Sequence, residues 1–538
     1  MPLAPEVLLQ AGLAAGLFSP GQLERWQQQA RRKRQGVLEY VTAQGRFPLA
    51  ALYRAVAQQR GLPFADLNTA RIDPRLWSRL PGALRARGSV VPLHQENGTL
   101  HVATVDPDDQ ATLDRLARQF GCRLQVHLAD PEALRRLSAR AVAPAGTASP
   151  GAASTGAVEL MDEVIQQAFL HRASDVHVEP TTQGYQIRFR IDGRLQPFLA
   201  DLDRATGVSL TTRVKVLAGL DIAQQRAPQD GRFSYQPPGR EDVRLDIRVA
   251  TIPTRWGERA TLRLLGCETV QLELEALGMV GEDLELFRRA IRAPHGMVLL
   301  TGPTGSGKTT TLYAAMSELD RTQRNILTVE DPIEYLLPGV SQIQVDGQLV
   351  TFASALRSLL RHDPDVIMVG EIRDLETADV AIKAAMTGHL IFSTLHTNSA
   401  LGAVTRLVDI GCAAYLVAST LQVVVAQRLV RRLCRHCRRP RTVTPVEAEL
   451  LGVEPEATIY EPSPGGCAAC LGSGYFGRLG LFEPLEITPE LRRRVAAGAN
   501  QSELEQFLQG KYKTLRQDGF AKVLQGLTTL SEVLQATV

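Results

Sequence analysis

Residues 302–309 read Gly302-Pro303-Thr304-Gly305-Ser306-Gly307-Lys308-Thr309, directly after the apolar run Met297-Val298-Leu299-Leu300. The pattern is GxxxxGK[ST] placed between a buried strand and a helix predicted over Thr309–Met316, which Thr310 continues. Glycines at 302, 305 and 307 let the backbone curl until its N–H groups face one point. Lys308 adds a charge for the β and γ phosphates, and the Thr309 hydroxyl offers a ligand to Mg²⁺. The chain is therefore expected to bind a nucleoside triphosphate.

Three further apolar strands are predicted at 326–329, 366–369 and 390–393. The first runs into Glu330-Asp331-Pro332-Ile333-Glu334, the second into Gly370-Glu371-Ile372-Arg373-Asp374, the third into Ser393-Thr394-Leu395-His396. From about residue 275 strands alternate with helices, which predicts a parallel α/β sheet with ligands at the strand C-terminal ends. Transfer of a phosphoryl group to water needs Mg²⁺ held, water oriented and developing charge neutralised. Carboxylates supply the first two tasks. Polar groups at the ends of three such strands beside a P-loop form a catalytic constellation.

At 538 residues the chain should hold about three or four domains of ~150 residues. Its 44% apolar and 22% charged content is that of a globular protein, and a net charge of +3 demands neither nucleic acid nor an anionic membrane. There is no run of about 18 apolar residues for a membrane span, and the first residues lack the basic start and apolar core of a signal peptide. The expected location is cytoplasmic.

Residues 141–157 contain no charged or aromatic side chain, and a flexible linker is expected there. Before it, domain 1–140 shows helical patterns at Leu23–Arg34, Leu49–Arg60 and Ala111–Phe120, and strands at Val90–Leu93, Leu100–Thr104 and Leu124–His127. After it, domain 158–272 opens with an amphipathic helix over Val158–Leu170. Tyr185, Ile187, Phe189 and Ile191 then alternate with polar residues up to Asp192-Gly193, a strand entering a hairpin. That domain reads as α+β, and residues 273–538 carry the ATPase core.

Of seven cysteines, Cys122, Cys267 and Cys412 sit among apolar neighbours and read as core residues. The other four form two pairs, Cys434-Arg-His-Cys437 and Cys467-Ala-Ala-Cys470, within a subdomain at 430–480. Two CxxC knuckles close a tetrahedral structural Zn²⁺ site. A cytosolic setting disfavours the disulfide alternative. His436 is a spare ligand candidate.

The segments GPTGSGKTT, TVEDPIEY, LLRHDPDVIMVGEIRDLETA and GHLIFSTLHTNSA resemble the Walker A, aspartate box, Walker B and histidine box of the secretion-ATPase superfamily. ASDVHVEP, PQDGR and DIRVATIP extend the likeness across residues 158–538. The resemblance implies a RecA-like P-loop ATPase core, preceded by a PAS-like α+β domain and a small mixed N-terminal domain. Gly302, Pro303, Thr304, Gly305, Ser306, Gly307, Lys308, Thr309 and Thr310 would hold ATP and Mg²⁺. Glu371 would order Mg²⁺ or water, Glu330 and Glu334 match the aspartate box, and His396 matches the γ-phosphate sensor. Glu334 is favoured for water activation, and sequence does not separate it from Glu371 as the general base. Arg232 and Arg248 match arginines that the second domain offers to the γ-phosphate, and Arg357 and Arg361 a further basic pair. His389 is as much a packing residue as a catalytic one, and His362 stands where the family usually has glutamine.

The resemblance also implies a homo-hexamer, peripherally associated with the inner membrane through platform proteins that the N-terminal domain engages. It points to ATP-driven type II secretion by pseudopilus assembly, with a type IV pilus assembly motor as the alternative. Some relatives bind cyclic di-GMP through the N-terminal domain; here Arg31-Arg32-Lys33-Arg34 reads rather as a solvated basic helix end. A nucleic-acid translocase is a weaker reading. Arg431, Arg432, Arg435, Arg438, Arg439 and Arg441 form a basic patch without interleaved aromatics for base stacking, so no nucleic acid is expected. The acids at 330, 334 and 371 argue against a non-hydrolysing adaptor.

Overall fold

Four short helices, Pro5–Ala14, Pro20–Lys33, Val37–Gly45 and Leu49–Gln59, open the chain and share an apolar core with a small sheet. That sheet comprises β1 (Phe64–Ala65), β2 (Val90–Glu96), β3 (Thr99–Thr104) and β4 (Arg123–Ala129), in the order β1-β4-β3-β2. The computed structural model describes residues 3–537 except 46, 68–72, 82–83, 85–88, 143–149, 238–243, 266–272 and 347–348. The chain divides into two units. The first is Met1–Glu268 with Cys434–Arg438 and Pro462–Phe476, and the second is the remainder.

The linker expected over 141–157 is shorter at both ends. The helix Pro131–Val142 runs into it, and the helix Pro150–Leu170 begins inside it. Absence of charge signals lack of a surface to pair, but Ala152, Ala153 and Ala157 carry high helix propensity, and the helix extends through them. Residues 143–149 lie outside the described residues, as does Cys267.

The second domain of this unit is an antiparallel sheet in the order β7-β6-β5-β10-β9-β8. Its strands are β5 (Asp175–Pro180), β6 (Tyr185–Ile191), β7 (Arg194–Leu202), β8 (Gln229–Tyr235), β9 (Leu245–Thr254) and β10 (Gly257–Leu265). The expected hairpin forms between β6 and β7, with both Asp192 (φ 48°) and Gly193 (φ 85°) left-handed as a tight right-twisting turn requires. Met161, Ile165 and Phe169 of the first helix and Leu210 and Val214 of the helix Arg204–Leu217 cover one face. The other face is polar.

The second unit is built on seven strands, ordered β13-β12-β14-β15-β11-β16-β19. They are β11 (Gly296–Thr301), β12 (Ile326–Glu330), β13 (Ser341–Gln344), β14 (Val366–Val369), β15 (Leu390–Leu395), β16 (Leu421–Leu433) and β19 (Tyr475–Glu486), with a small β17 (Arg439–Thr442) and β18 (Thr458–Glu461) hairpin between the last two. β11 through β16 pair in parallel, as expected. Met297 and Leu299 of β11 enter one core while Val298 and Leu300 enter another. Burial on both faces is why these strands read as unbroken apolar runs.

Past β19 a charge pair is sealed inside. Lys522 and Asp518 are each about 3% exposed, 2.6 Å apart, and Asp518 also accepts from the backbone N–H of Phe482 at 2.9 Å. Lys522 donates to the Gly480 carbonyl at 2.7 Å, so both charges brace β19. Asp518 also holds Lys513 at 2.6 Å, so it is the loss of Asp518 that strands Lys522. We expect Asp518→Leu to cost about 3–5 kcal/mol in urea unfolding of the full chain; a loss within 0.5 kcal/mol, about that of a surface change, would contradict this role.

Candidate nucleotide site

The P-loop follows β11 and leads into the helix Lys308–Ser317, which lies one residue either side of the predicted helix. Gly302 (φ 148°), Gly305 (φ 79°) and Gly307 (φ 87°) take backbone conformations that side chains disfavour. A Cβ at Gly302 would lie 2.5 Å from the Gln427 carbonyl and 2.7 Å from Ser306 Oγ. The curled backbone thus leaves a cradle only glycine permits. Ser306 Oγ is buried in it without a hydrogen-bond partner, the kind of orphaned donor a phosphate oxygen satisfies. On this evidence the residues fit a triphosphate with its Mg²⁺.

Lys308 is buried, and its ammonium donates to the carbonyls of Gly302 at 2.8 Å and Pro303 at 3.1 Å. Burial lowers its pKa to about 8, opposed by the nearby Glu371 carboxylate and assisted by Arg428. Thr309 and Thr310, half-buried, sit in the first turn of the helix, where N–H groups and dipole favour anions.

Walker B and the histidine box converge beside this lysine. Glu371, mostly buried, bonds His396 Nε2 at 3.2 Å through one oxygen and pairs with Arg373 through the other. The carboxylate's orientation is set from both sides. Thr394 Oγ1 donates to the Gly370 carbonyl at 2.7 Å, pinning the Walker B loop to the end of β15. Asp374 serves as helix cap, accepting from Thr377 N at 2.8 Å.

Glu330 has a different place from the one expected. It is 2% exposed, and its oxygens accept from Thr328 Oγ1 at 2.5 Å, Gln342 Nε2 at 3.0 Å and the Tyr313 hydroxyl. The phenol is pushed well above its ordinary pKa by burial and by this carboxylate. Glu330 therefore braces the aspartate box against the P-loop helix, while Glu334 on the same loop is exposed. Arg357 forms an exposed ion pair with Glu376 at 2.6 Å, and Arg361 donates to the Arg357 carbonyl; neither bonds the P-loop. His389 is tied to the Ala384 carbonyl at 3.0 Å, the packing reading. His362 is exposed and offers its backbone carbonyl to Asn325.

Two residues were not singled out for this site. Gln427 and Arg428 end an apolar run of β16 next to the loop. Gln427 Oε1 accepts from Thr311 at 2.9 Å, and Arg428 donates to Asn398, with its pKa lowered by burial. Their signal was present: β16 is a further apolar strand with polar residues where it passes the P-loop, like β12, β14 and β15.

In the first unit, Arg232 lies directly opposite Arg248 across β8 and β9, and Arg248 opposite Arg263 on β10. Directly opposed residues share a face, so three guanidinium groups line the polar face of that sheet. Arg263 pairs with Asp175 at 3.1 Å.

The four cysteines come together as predicted. Sγ distances are 3.7 Å for Cys434–Cys467 and 3.8 Å for both Cys437–Cys470 and Cys467–Cys470. A tetrahedral ion with Zn–S bonds of about 2.3 Å has S···S edges of about 3.8 Å, so the thiols fit zinc. Burial, then the neighbouring thiols, push Cys437 up to about 12, so this packing opposes four bare thiolates and favours a cation between them. His436 stands outside the cluster. The knuckles group with the first unit, whereas they were expected within 273–538: Ala468 and Leu471 belong to the N-terminal domain's core.

Residues 152–535 match the type II/IV secretion system protein family, and residues 60–148 match the MshEN domain. The chain belongs to the type II/IV secretion system protein family. It is 48% identical over 381 residues to the type II secretion system protein E of Pectobacterium carotovorum, covering 71% of this chain and 75% of that protein. To the type II secretion system ATPase E of Vibrio cholerae it is 45% identical, with the same coverage. The solved structure of the Legionella pneumophila ATPase DotB shares the fold, at TM-score 0.53 and 24% identity over 70% of this chain and 95% of that one. The family and α/β architecture expected from the motifs are borne out.

The lysine sets a pH dependence. Its charged form binds phosphate, and a bound phosphate raises its pKa, so the contribution to affinity is complete below about pH 8 and fades above it. The Kd for ATP is expected to weaken above pH 8 by up to about tenfold per unit, and Lys308→Arg, charged throughout, to flatten that slope. A flat wild-type profile would contradict the burial of Lys308.

Proposed function

We propose that this chain is the ATP-hydrolysing motor of a type II secretion system, working as a hexamer on the cytoplasmic side of the inner membrane to drive pseudopilus assembly. The meeting of Lys308, Glu371 and His396 at one edge of a parallel sheet carries the reading of ATP hydrolysis. The 45–48% identity to type II secretion proteins supports the choice of system over pilus assembly. Among the described residues no helix is long and apolar enough to cross a membrane, so force on an envelope machine would pass through a membrane-bound partner. We assign that contact to the N-terminal domain, whose basic helix end Arg31–Arg34 is exposed.

In this mechanism Lys308 and the loop N–H groups bind the β and γ phosphates, and the Thr309 hydroxyl would hold the metal. Mg²⁺, when bound, neutralises phosphate charge. Glu371, fixed by Arg373 and His396, would hold Mg²⁺ or orient the attacking water. Glu334 is the second acid for water activation. Glu330 acts through Tyr313 as a positioning residue. Arg428 lies close enough to the loop to add positive charge as the γ-phosphate separates. The paired Arg232 and Arg248 form a cationic surface suited to an oxyanion, and the four cysteines hold a structural Zn²⁺.

Glu371→Gln keeps the shape of the side chain and removes its charge. It is expected to lower kcat about 10²-fold or more with the Kd for ATP unchanged, whereas Arg357→Ala leaves kcat per assembled subunit nearer wild type. Turnover undiminished in Glu371→Gln would show the site to be wrongly assigned.

A further inference from the structure

The outer face of the N-terminal sheet gathers three of the chain's ten histidines. His94 on β2 lies directly opposite His101 on β3, and their rings stack at 4.2 Å with 16° between planes. Glu96 is two residues beyond His94 on the same strand, hence on the same face. The hairpin joining the strands is a tight Asn97-Gly98 turn, both residues left-handed, which fixes the register that brings the three groups together. A bulge between Pro92 and His94 re-aims this end of β2. On the opposite face Leu100 and Val102 are fully buried, so the sheet is anchored from behind.

We propose that His94, Glu96 and His101 form a second divalent transition-metal site, separate from the four cysteines. One donor atom from each lies within 4.8 Å of the others. Ligands about 2.0–2.1 Å from a tetrahedral ion stand about 3.3 Å apart, a closure that rotation of the exposed His94 and Glu96 side chains supplies. Two imidazoles and a carboxylate suit a borderline ion such as Zn²⁺, Co²⁺ or Ni²⁺ rather than Mg²⁺ or Ca²⁺. Three protein ligands leave a position open to water or to a donor from another molecule.

The independent observation is His127. Its Nε2 lies 2.9 Å from Nδ1 of His101. Metal-binding histidines almost always have their other ring nitrogen held in this way, which fixes the tautomer and aims the ligating nitrogen. With Nδ1 engaged, Nε2 of His101 is the metal-binding atom.

The test uses the untagged full-length chain, stripped with chelator and reloaded with stoichiometric Co²⁺ or Zn²⁺. Metal content is expected to reach two ions per chain. Cys437→Ser removes one, together with the thiolate-to-cobalt charge-transfer band. His94→Ala, or Glu96→Gln where the alanine variant proves unstable, removes the other while the band persists. That persisting band also reports an intact fold. His127→Ala should weaken the second site about 10–100-fold at unchanged stoichiometry. One ion per wild-type chain, or a second ion that survives both His94→Ala and Glu96→Gln, would overturn the proposal. Survival of the second ion does not bear on the ATPase reading.

Discussion

Lys308 brings a positive charge into a loop where burial lowers its pKa to about 8, and the carbonyls of Gly302 and Pro303 hold it there. Such a charge is tolerable only where partners converge, and a parallel sheet makes them converge. With β11, β12, β14 and β15 running in one direction, every loop that leaves a strand C-terminus emerges on one edge. Glu371, His396 and the P-loop are there because of that geometry. The apolar strands behind them, buried on both faces, keep the edge rigid enough to hold their orientation.

Around this edge the structure separates groups that orient from groups placed to react. Glu330 is fully enclosed by Thr328, Gln342 and Tyr313, so its charge stiffens the join between the aspartate box and the P-loop helix. Glu371 keeps contact with Lys308's surroundings, its direction set by Arg373 and His396. Two carboxylates one strand apart thus have different work, and burial decides which does what.

The P-loop, the parallel sheet and the cysteine cluster were legible because each depends on local spacing: GxxxxGK[ST], unbroken apolar runs and CxxC. Less legible was anything that depends on tertiary neighbours. Glu330 and Glu334 are both acids on one short loop, and only burial separates them. Gln427 and Arg428 follow an apolar run as the other strand-end residues do, but no motif marks them and only the pairing of β16 with β11 puts them beside the P-loop. The helix Pro150–Leu170 starts ahead of the expected Val158 because a charge-free, alanine-rich segment suits both a linker and a helix. Ala468 joins the N-terminal core through packing that no motif announces.

The most direct test of an assembling secretion motor is ATP hydrolysis per subunit measured against protein concentration, with and without DNA. This account predicts a rate per subunit that rises as the chain assembles and is indifferent to DNA. A rate per subunit that is independent of concentration and stimulated by DNA would contradict it, leaving a nucleic-acid translocase built on the same fold.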